Sequence, residues 1–224
     1  MSKTLVNEQN LDEYNSSLTG KTPQEIVKWA LSIAKNPIIT TNFRPYEASI
    51  LHLVSSIRPD ITVLFVDSGY NTVQTYKHAQ KLIKELNLNV VTYIPAQTRA
   101  FRDVALADLT INGIPDVDSD YHAEFTEQVK LEPFRRALAE LNPDVWFNAI
   151  RKDQTEFRTT LDVLSLSKDG VLKVAPLFYL SADELNTYQA NHGLPTIAEY
   201  GEDDYFDPTK ALAHRECGLH TQLW

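Results

Sequence analysis

PIITTNFRPYEASILHLVSSIRPDITVLFVDSGY, residues 37–70, decides the fold. It opens with a short run rich in β-branched side chains, PIITT. Ile50, Val54 and Ile57 then recur at helical spacing, and a second, stronger apolar run follows inside DITVLFVDSGY (60–70). The spacing predicts strand, loop, helix, strand. Two strands joined by a helix of this length run parallel through a right-handed crossover, in a sheet covered on both faces.

The same alternation extends outward. Upstream, KTPQEIVKWALSIAK (21–35) reads as a helix with Thr22 as N-cap, Pro23 in the first turn, Glu25 at the capping-box position, and Ile26, Ala30 and Ile33 on one face. Downstream, Val73, Tyr76, Ile83 and Leu86 give the next helix an apolar stripe, and NLNVVTYIP (87–95) is a third strand. Residues 96–122 are less regular, with Gly113, Pro115 and four aspartates between Asp103 and Asp118, and read as a surface excursion. A helix through KLEPFRRALAEL (130–141) leads to a strand at DVWFNAI (144–150). VLSLSKDGVLKVAPL (163–177) then reads as two strands about a turn at Asp169-Gly170. SADELNTYQANHG (181–193) is a last helix, with Ser181 and Glu184 as capping box and Gly193 as stop. Residues 194–224 lack sustained periodicity and read as a mobile tail. The fold class is therefore α/β, with a mostly parallel sheet flanked by helices. The expected division is a body over 1–193 and a tail over 194–224.

Composition narrows the function. With 43% hydrophobic and 23% charged residues in 224, the chain has the make-up of a soluble globular protein. Lys and Arg number 21 against 30 Asp and Glu, a net charge of -9 that disfavours nucleic acid as a partner. The apolar runs are short and the N-terminus lacks the apolar core of a signal peptide, so a cytoplasmic protein without membrane contact is expected. One cysteine makes neither an internal disulfide nor an iron–sulfur cluster nor a structural zinc site. His52, His78, His122 and His192 lack metal-ligand spacing, so no metal site is expected.

Ligands of open parallel sheets sit at the carboxyl ends of the strands. TTNFRPYE (40–47) offers Thr40, Thr41, Asn42, Phe43 and Arg44 between strand and helix, where backbone N–H groups and the helix dipole hold anions. An ordinary capped turn is the plainer alternative, and the loop has no glycine for close backbone approach. Asp67, Ser68 and Gly69 end the second strand and either flank a nucleotide or merely stop the strand. RKDQTEFR (151–158) carries Arg151, Lys152 and Arg158, a density suited to phosphate oxygens, or else a solvated loop. Residues 130–158 hold six basic and five acidic side chains, net +1 in an acidic protein. The five acids of EYGEDDYFD (199–207) read as a solvated face or a partner contact. In the tail, Cys217 has Arg215 before it and His214 and His220 three residues to either side, and such cations stabilise a thiolate.

ECGLH (216–220), DSGY (67–70) followed by QTY (74–76), EPFRRALAEL (132–141) before VWFNAIRKDQ (145–154), and KVAPL (173–177) occur in the order and spacing of one family. From about Pro37 onward the chain resembles the phosphoadenylyl-sulfate (PAPS) reductases of assimilatory sulfate reduction. The resemblance implies an adenine-nucleotide α-hydrolase-like fold with a modified pyrophosphate loop, and often a homodimer. It implies that Cys217 attacks the sulfonate sulfur of PAPS, leaving adenosine 3',5'-bisphosphate and an S-sulfonated cysteine from which thioredoxin or glutaredoxin releases sulfite. A lone thiol cannot resolve its own sulfonate, so a reductant must come from outside, a dithiol protein being the natural donor; no bound cofactor is expected. By the same likeness Thr40 to Arg44 hold the sulfate-bearing phosphate, Asp67, Ser68 and Gly69 lie near the adenosine, Arg151, Lys152 and Arg158 bind phosphates, and Arg215 and His220 steady the thiolate and sulfonate. Members commonly read SSSFG where this chain reads TTNFR, so Arg44 replaces a glycine, and the linker before RECGLH is short. The alternatives are a cluster-free adenylyl-sulfate (APS) reductase, an adenylating enzyme that releases pyrophosphate, and a non-catalytic nucleotide-binding regulator.

Overall fold

A computed structural model describes residues 3–106, 110–111, 114–116 and 119–200, with side chains left out at 110–111 and 197–198. The chain begins with α1 (Leu11–Leu18) and α2 (Pro23–Ile33). At α2 the expected capping box forms: Thr22 Oγ1 accepts from Glu25 N at 3.3 Å and Thr22 N donates to Glu25 Oε2 at 2.8 Å. Then follow β1 (Pro37–Thr41), α3 (Glu47–Ile57), β2 (Thr62–Val66), α4 (Val73–Glu85) and β3 (Asn89–Tyr93). The three strands pair in parallel, Ile39 opposite Val63 and Val63 opposite Val90.

The segment expected as an excursion contains α5 (Arg99–Ala105), a two-stranded antiparallel ribbon of β4 (Thr110–Ile111) and β5 (Ile114–Pro115), and the start of α6 (Asp120–Thr126). These elements are too short for a hydrophobic period to emerge. A π-helical turn, Glu127–Leu131, joins α6 to α7 (Glu132–Leu141), and β6 (Val145–Phe147) follows. Two 3-10 turns, Lys152–Gln154 and Phe157–Thr160, precede the hairpin of β7 (Leu164–Leu166) and β8 (Leu172–Val174). Its turn uses Gly170 at φ 76°. α8 (Ala182–Asn191) starts at the Ser181/Glu184 capping box, and α9 (Ile197–Tyr200) ends the described chain.

The main sheet has six strands in the order β3-β2-β1-β6-β8-β7, with only β7 antiparallel. Its edge is covered by α1: the Asn15 carboxamide donates to Leu164 O at 3.1 Å and accepts from Leu164 N at 2.8 Å, standing in for a further strand. Alternation along the strands splits the core. Ile39, Val63, Phe65, Val145, Phe147, Leu172 and Val174 face the larger cluster with α2, α3 and α8, whereas Ile38, Leu64 and Trp146 face Phe134 and Ala137 of α7.

Two expectations need correction. The stripe read on α4 holds at Ile83 and Leu86, which pack partly buried against the larger core, but not at Val73, which is 66% exposed because it opens the helix at the end of the sheet; Thr75, His78, Ala79 and Leu82 are the buried residues. Residues 194–200, read as part of the tail, pack on the body: Leu194 and Tyr200 are buried, and the Tyr200 hydroxyl meets Thr75 Oγ1 at 2.6 Å. Four helical residues carry too little period to reveal this. Cys217, Arg215, His214 and His220 lie outside the described residues.

Candidate functional site

From β1 the chain proceeds to β2 and β3 at one edge, whereas β6 starts the half that ends at the other. The crevice beyond the carboxyl ends of β1 and β6 is thus the switch point at which open α/β sheets bind ligands. Three loops meet there.

The loop after β1 is built around a carboxylate that sequence reading missed. Glu47, the first residue of α3, accepts through Oε2 from Thr41 Oγ1 and from Asn42 N, both at 2.7 Å. Thr41 Oγ1 also accepts from Phe43 N at 2.9 Å, and Asn42 Oδ1 from Arg44 N at 3.2 Å. Burial raises the Glu47 pKa, against these hydrogen bonds and the nearby charge of Arg44. Thr40 points to the other face, where Trp146 Nε1 donates to its Oγ1 at 2.8 Å. Phe43 takes left-handed backbone, φ 56°, and its fully buried ring packs edge-on to Phe65 at 5.0 Å between centroids. Its side chain belongs to the core, so Phe43 can face a ligand only through its backbone. Arg44 is half-buried.

The loop after β2 is assembled from its own polar groups. Asp67 Oδ1 accepts from Gly69 N at 3.0 Å, Asn71 Nδ2 at 2.9 Å and the Tyr76 hydroxyl at 2.8 Å, and Ser68 Oγ accepts from Tyr70 N at 3.2 Å. Burial, with Asp67 beside it, pushes the Tyr76 phenol up to about 12. Gly69 has φ 82°, a conformation that disfavours a side chain. Tyr70 is buried edge-on to Phe125, with the Arg99 guanidinium 4.7 Å from its ring centre. Asp67 and Ser68 therefore shape this turn as well as bordering the crevice.

The loop after β6 brings Arg151 toward the first loop. Arg151 is buried, forks onto Asp153 through Nε at 3.0 Å and an Nη at 3.3 Å, and stands 5.1 Å from the Tyr46 ring centre. Arg158 is buried and bonds Gln154, whose Oε1 also accepts from Arg151 N at 3.0 Å. Lys152 is exposed, its Nζ 6.0 Å from the Tyr179 ring centre. The structure thus brings Arg151 onto Tyr46 across the switch point and leaves Lys152 on the outer surface. The positive excess expected over 130–158 is largely answered locally: Arg135 pairs with Glu127, Arg136 with Glu132 at 2.9 Å, and Arg151 with Asp153. Asn148 and Gln189, also missed, are buried beside these loops; Asn148 Oδ1 accepts from Ile150 N at 3.1 Å. Among the described residues no group of three or more His, Cys, Asp or Glu is placed to hold a metal ion, and no helix is long and apolar enough to cross a membrane.

Known proteins share this fold. A solved PAPS reductase from Candida auris, in a phosphate complex, superposes with a TM-score of 0.71 at 22% identity, over 85% of this chain and 89% of that one. NMN synthetase from Francisella tularensis gives 0.52 at 16% identity, over 80% and 72%. Both show the adenine-nucleotide α-hydrolase-like fold. In sequence, the phosphoadenosine 5'-phosphosulfate reductase of Klebsiella pneumoniae subsp. pneumoniae is 34% identical over 228 residues, covering 94% of this chain and 91% of its own. That of Vibrio parahaemolyticus is 30% identical over 229 residues, covering 94% and 86%. The family model for the phosphoadenosine phosphosulfate reductase domain matches residues 36–202, which span all three loops of the crevice. By the family model and by sequence, this chain belongs to the phosphoadenosine phosphosulfate reductase family.

Proposed function

We propose that the protein reduces PAPS to sulfite with thioredoxin or glutaredoxin as electron donor. The nucleotide lies along the crevice: backbone and side chains of residues 40–44 take the phosphosulfate end, Asp67, Ser68 and Gly69 border the adenosine, and Arg151, Arg158 and Lys152 supply cations to the phosphates. The Cys217 thiolate, steadied by Arg215 and His220, attacks the sulfonate sulfur. An S–S bond forms as the sulfur–oxygen bond to the phosphate breaks, and adenosine 3',5'-bisphosphate departs. A thiolate of the donor then attacks Cys217 Sγ, sulfite leaves with the electron pair of the broken S–S bond, and the donor's second thiol resolves the mixed disulfide. The donor loses two electrons and the sulfonate sulfur gains them. A C-terminal segment delivers the thiol to a body that holds the nucleotide, within a cytoplasmic homodimer.

The observation that carries this reading is the single cysteine, placed in ECGLH among cations, in a chain of this family. The reduced protein, incubated with PAPS or APS and weighed intact, is expected to gain one SO3 unit with PAPS, and Cys217→Ser none. Wild-type sulfite production by Cys217→Ser refutes the assignment, and addition with APS alone reverses the substrate.

A further inference from the structure

Gln189 lies on α8, 144 residues from the loop it touches, and its side chain is fully buried. Its Nε2 donates to Pro45 O at 2.6 Å. Its Oε1 is buried with no hydrogen-bond partner among the described residues. A carboxamide sealed from water with one end unsatisfied is a poor core residue, since leucine or methionine fills similar space without that cost. What distinguishes glutamine here is its one bond, and that bond goes to the loop after β1.

This loop needs outside support. It has no glycine, yet Phe43 is held in left-handed backbone, and such a conformation at a bulky residue persists only where the surroundings over-determine it. Glu47 fixes its first half through Thr41 and Asn42. The second half is fixed by Arg151 over Tyr46 and by Gln189 on Pro45. The Pro45 carbonyl also accepts from Ala48 N at 3.2 Å, so the same bond braces the first turn of α3. α8 is a firm base for it, because Tyr188 brings its hydroxyl 2.8 Å from His52 Nδ1 on α3.

We infer that Gln189 is a positioning residue for nucleotide binding: by holding the Pro45 carbonyl it keeps the loop after β1 in the shape that receives the phosphosulfate end. The inference rests on the reading of that loop proposed above. It makes a buried residue outside the crevice a determinant of nucleotide affinity.

The test is titration calorimetry with adenosine 3',5'-bisphosphate, which needs no turnover, beside steady-state kinetics with PAPS and thermal melting, on the full chain with Gln189→Leu and Gln189→Met. Each variant is expected to weaken nucleotide binding about three- to tenfold and to raise KM in step, with kcat within about twofold of wild type and the melting temperature unchanged or higher. Affinity equal to wild type in either folded variant overturns the inference. So does a lowered melting temperature without loss of affinity, which assigns Gln189 to packing, or a loss confined to kcat. If wild type binds and the variants bind equally, only this inference fails; if wild type binds no nucleotide, the reading of the crevice fails with it.

Discussion

The loops after β1 and β2 stand side by side at the same end of the sheet and share one local device, but differ in what else holds them. Residues 67–70 form a self-sufficient turn: Asp67 and Ser68 bond the backbone of residues two positions on, and Gly69 takes the left-handed conformation freely. Residues 42–46 are bonded in the same way by Thr41 and Asn42 but put Phe43 in that conformation, and further supports come from Glu47, Arg151 and Gln189. A turn written in local chemistry depends on its own residues. A turn held from outside transfers its sensitivity to positions far away in the chain.

That difference can be broken experimentally. The largest effect is expected at Glu47→Ala, which leaves the Thr41 hydroxyl and Asn42 N without their acceptor and costs about 2–3 kcal/mol in denaturant unfolding. Glu47→Gln, whose amide oxygen can accept both bonds, should recover most of it. An alanine variant as stable as wild type would show that the loop stands unaided.

A second effect, of about 1–2 kcal/mol between pH 7 and 9, concerns the buried face behind Thr40. Lys173 on β8 is 1% exposed, with Nζ 5.8 Å from the centre of the Trp146 ring whose N–H holds Thr40. Burial lowers its pKa from 10.5 to about 7. The unfolded chain therefore binds more protons than the folded one between about pH 7 and 10.5, and stability rises with pH through that window. Lys173→Met should remove the rise, measured as unfolding free energy against pH. An unchanged slope would place the titration elsewhere.

The smallest effect is expected in the self-sufficient loop. Gly69→Ala adds a Cβ at φ 82°, 3.4 Å from Arg99 Cβ, which is ordinary contact, so the cost is mainly backbone strain of about 1 kcal/mol. It should appear as a melting shift of a few degrees. A loss as large as that of Glu47→Ala would erase the contrast between the loops.

What the sequence revealed follows the same division between local and distant. The capping boxes at Thr22 and Ser181, the turn at Gly170 and the buried strands are fixed by neighbours within a few residues, and all were legible. The loops at the crevice were legible as places, because sheet topology dictates where ligands bind. The partners that shape them were not: Gln189 reaches Pro45 across 144 residues, and Glu47 reads as an ordinary first-turn acid of a helix. Phe43 was taken for a binding residue because its loop was one; only packing against Phe65 shows that its ring turns inward. On α4 the stripe fails only at its start, because Val73 and Tyr76 begin the helix beside the loop, where the core ends, whereas Ile83 and Leu86 do pack on it.

The π turn between α6 and α7 lets one continuous rod serve two masters. Phe125 before it and Val129 within it lie with Tyr70 beside the second loop; after it, Phe134 and Ala137 lie on the sheet. Each residue of an α-helix advances the azimuth by about 100°, so removing Lys130 or Leu131 would swing the later pair off the strands while the earlier pair stayed in place. Along this rod, then, residue count matters more than residue identity, and loss of a single position would uncouple the second loop from the core.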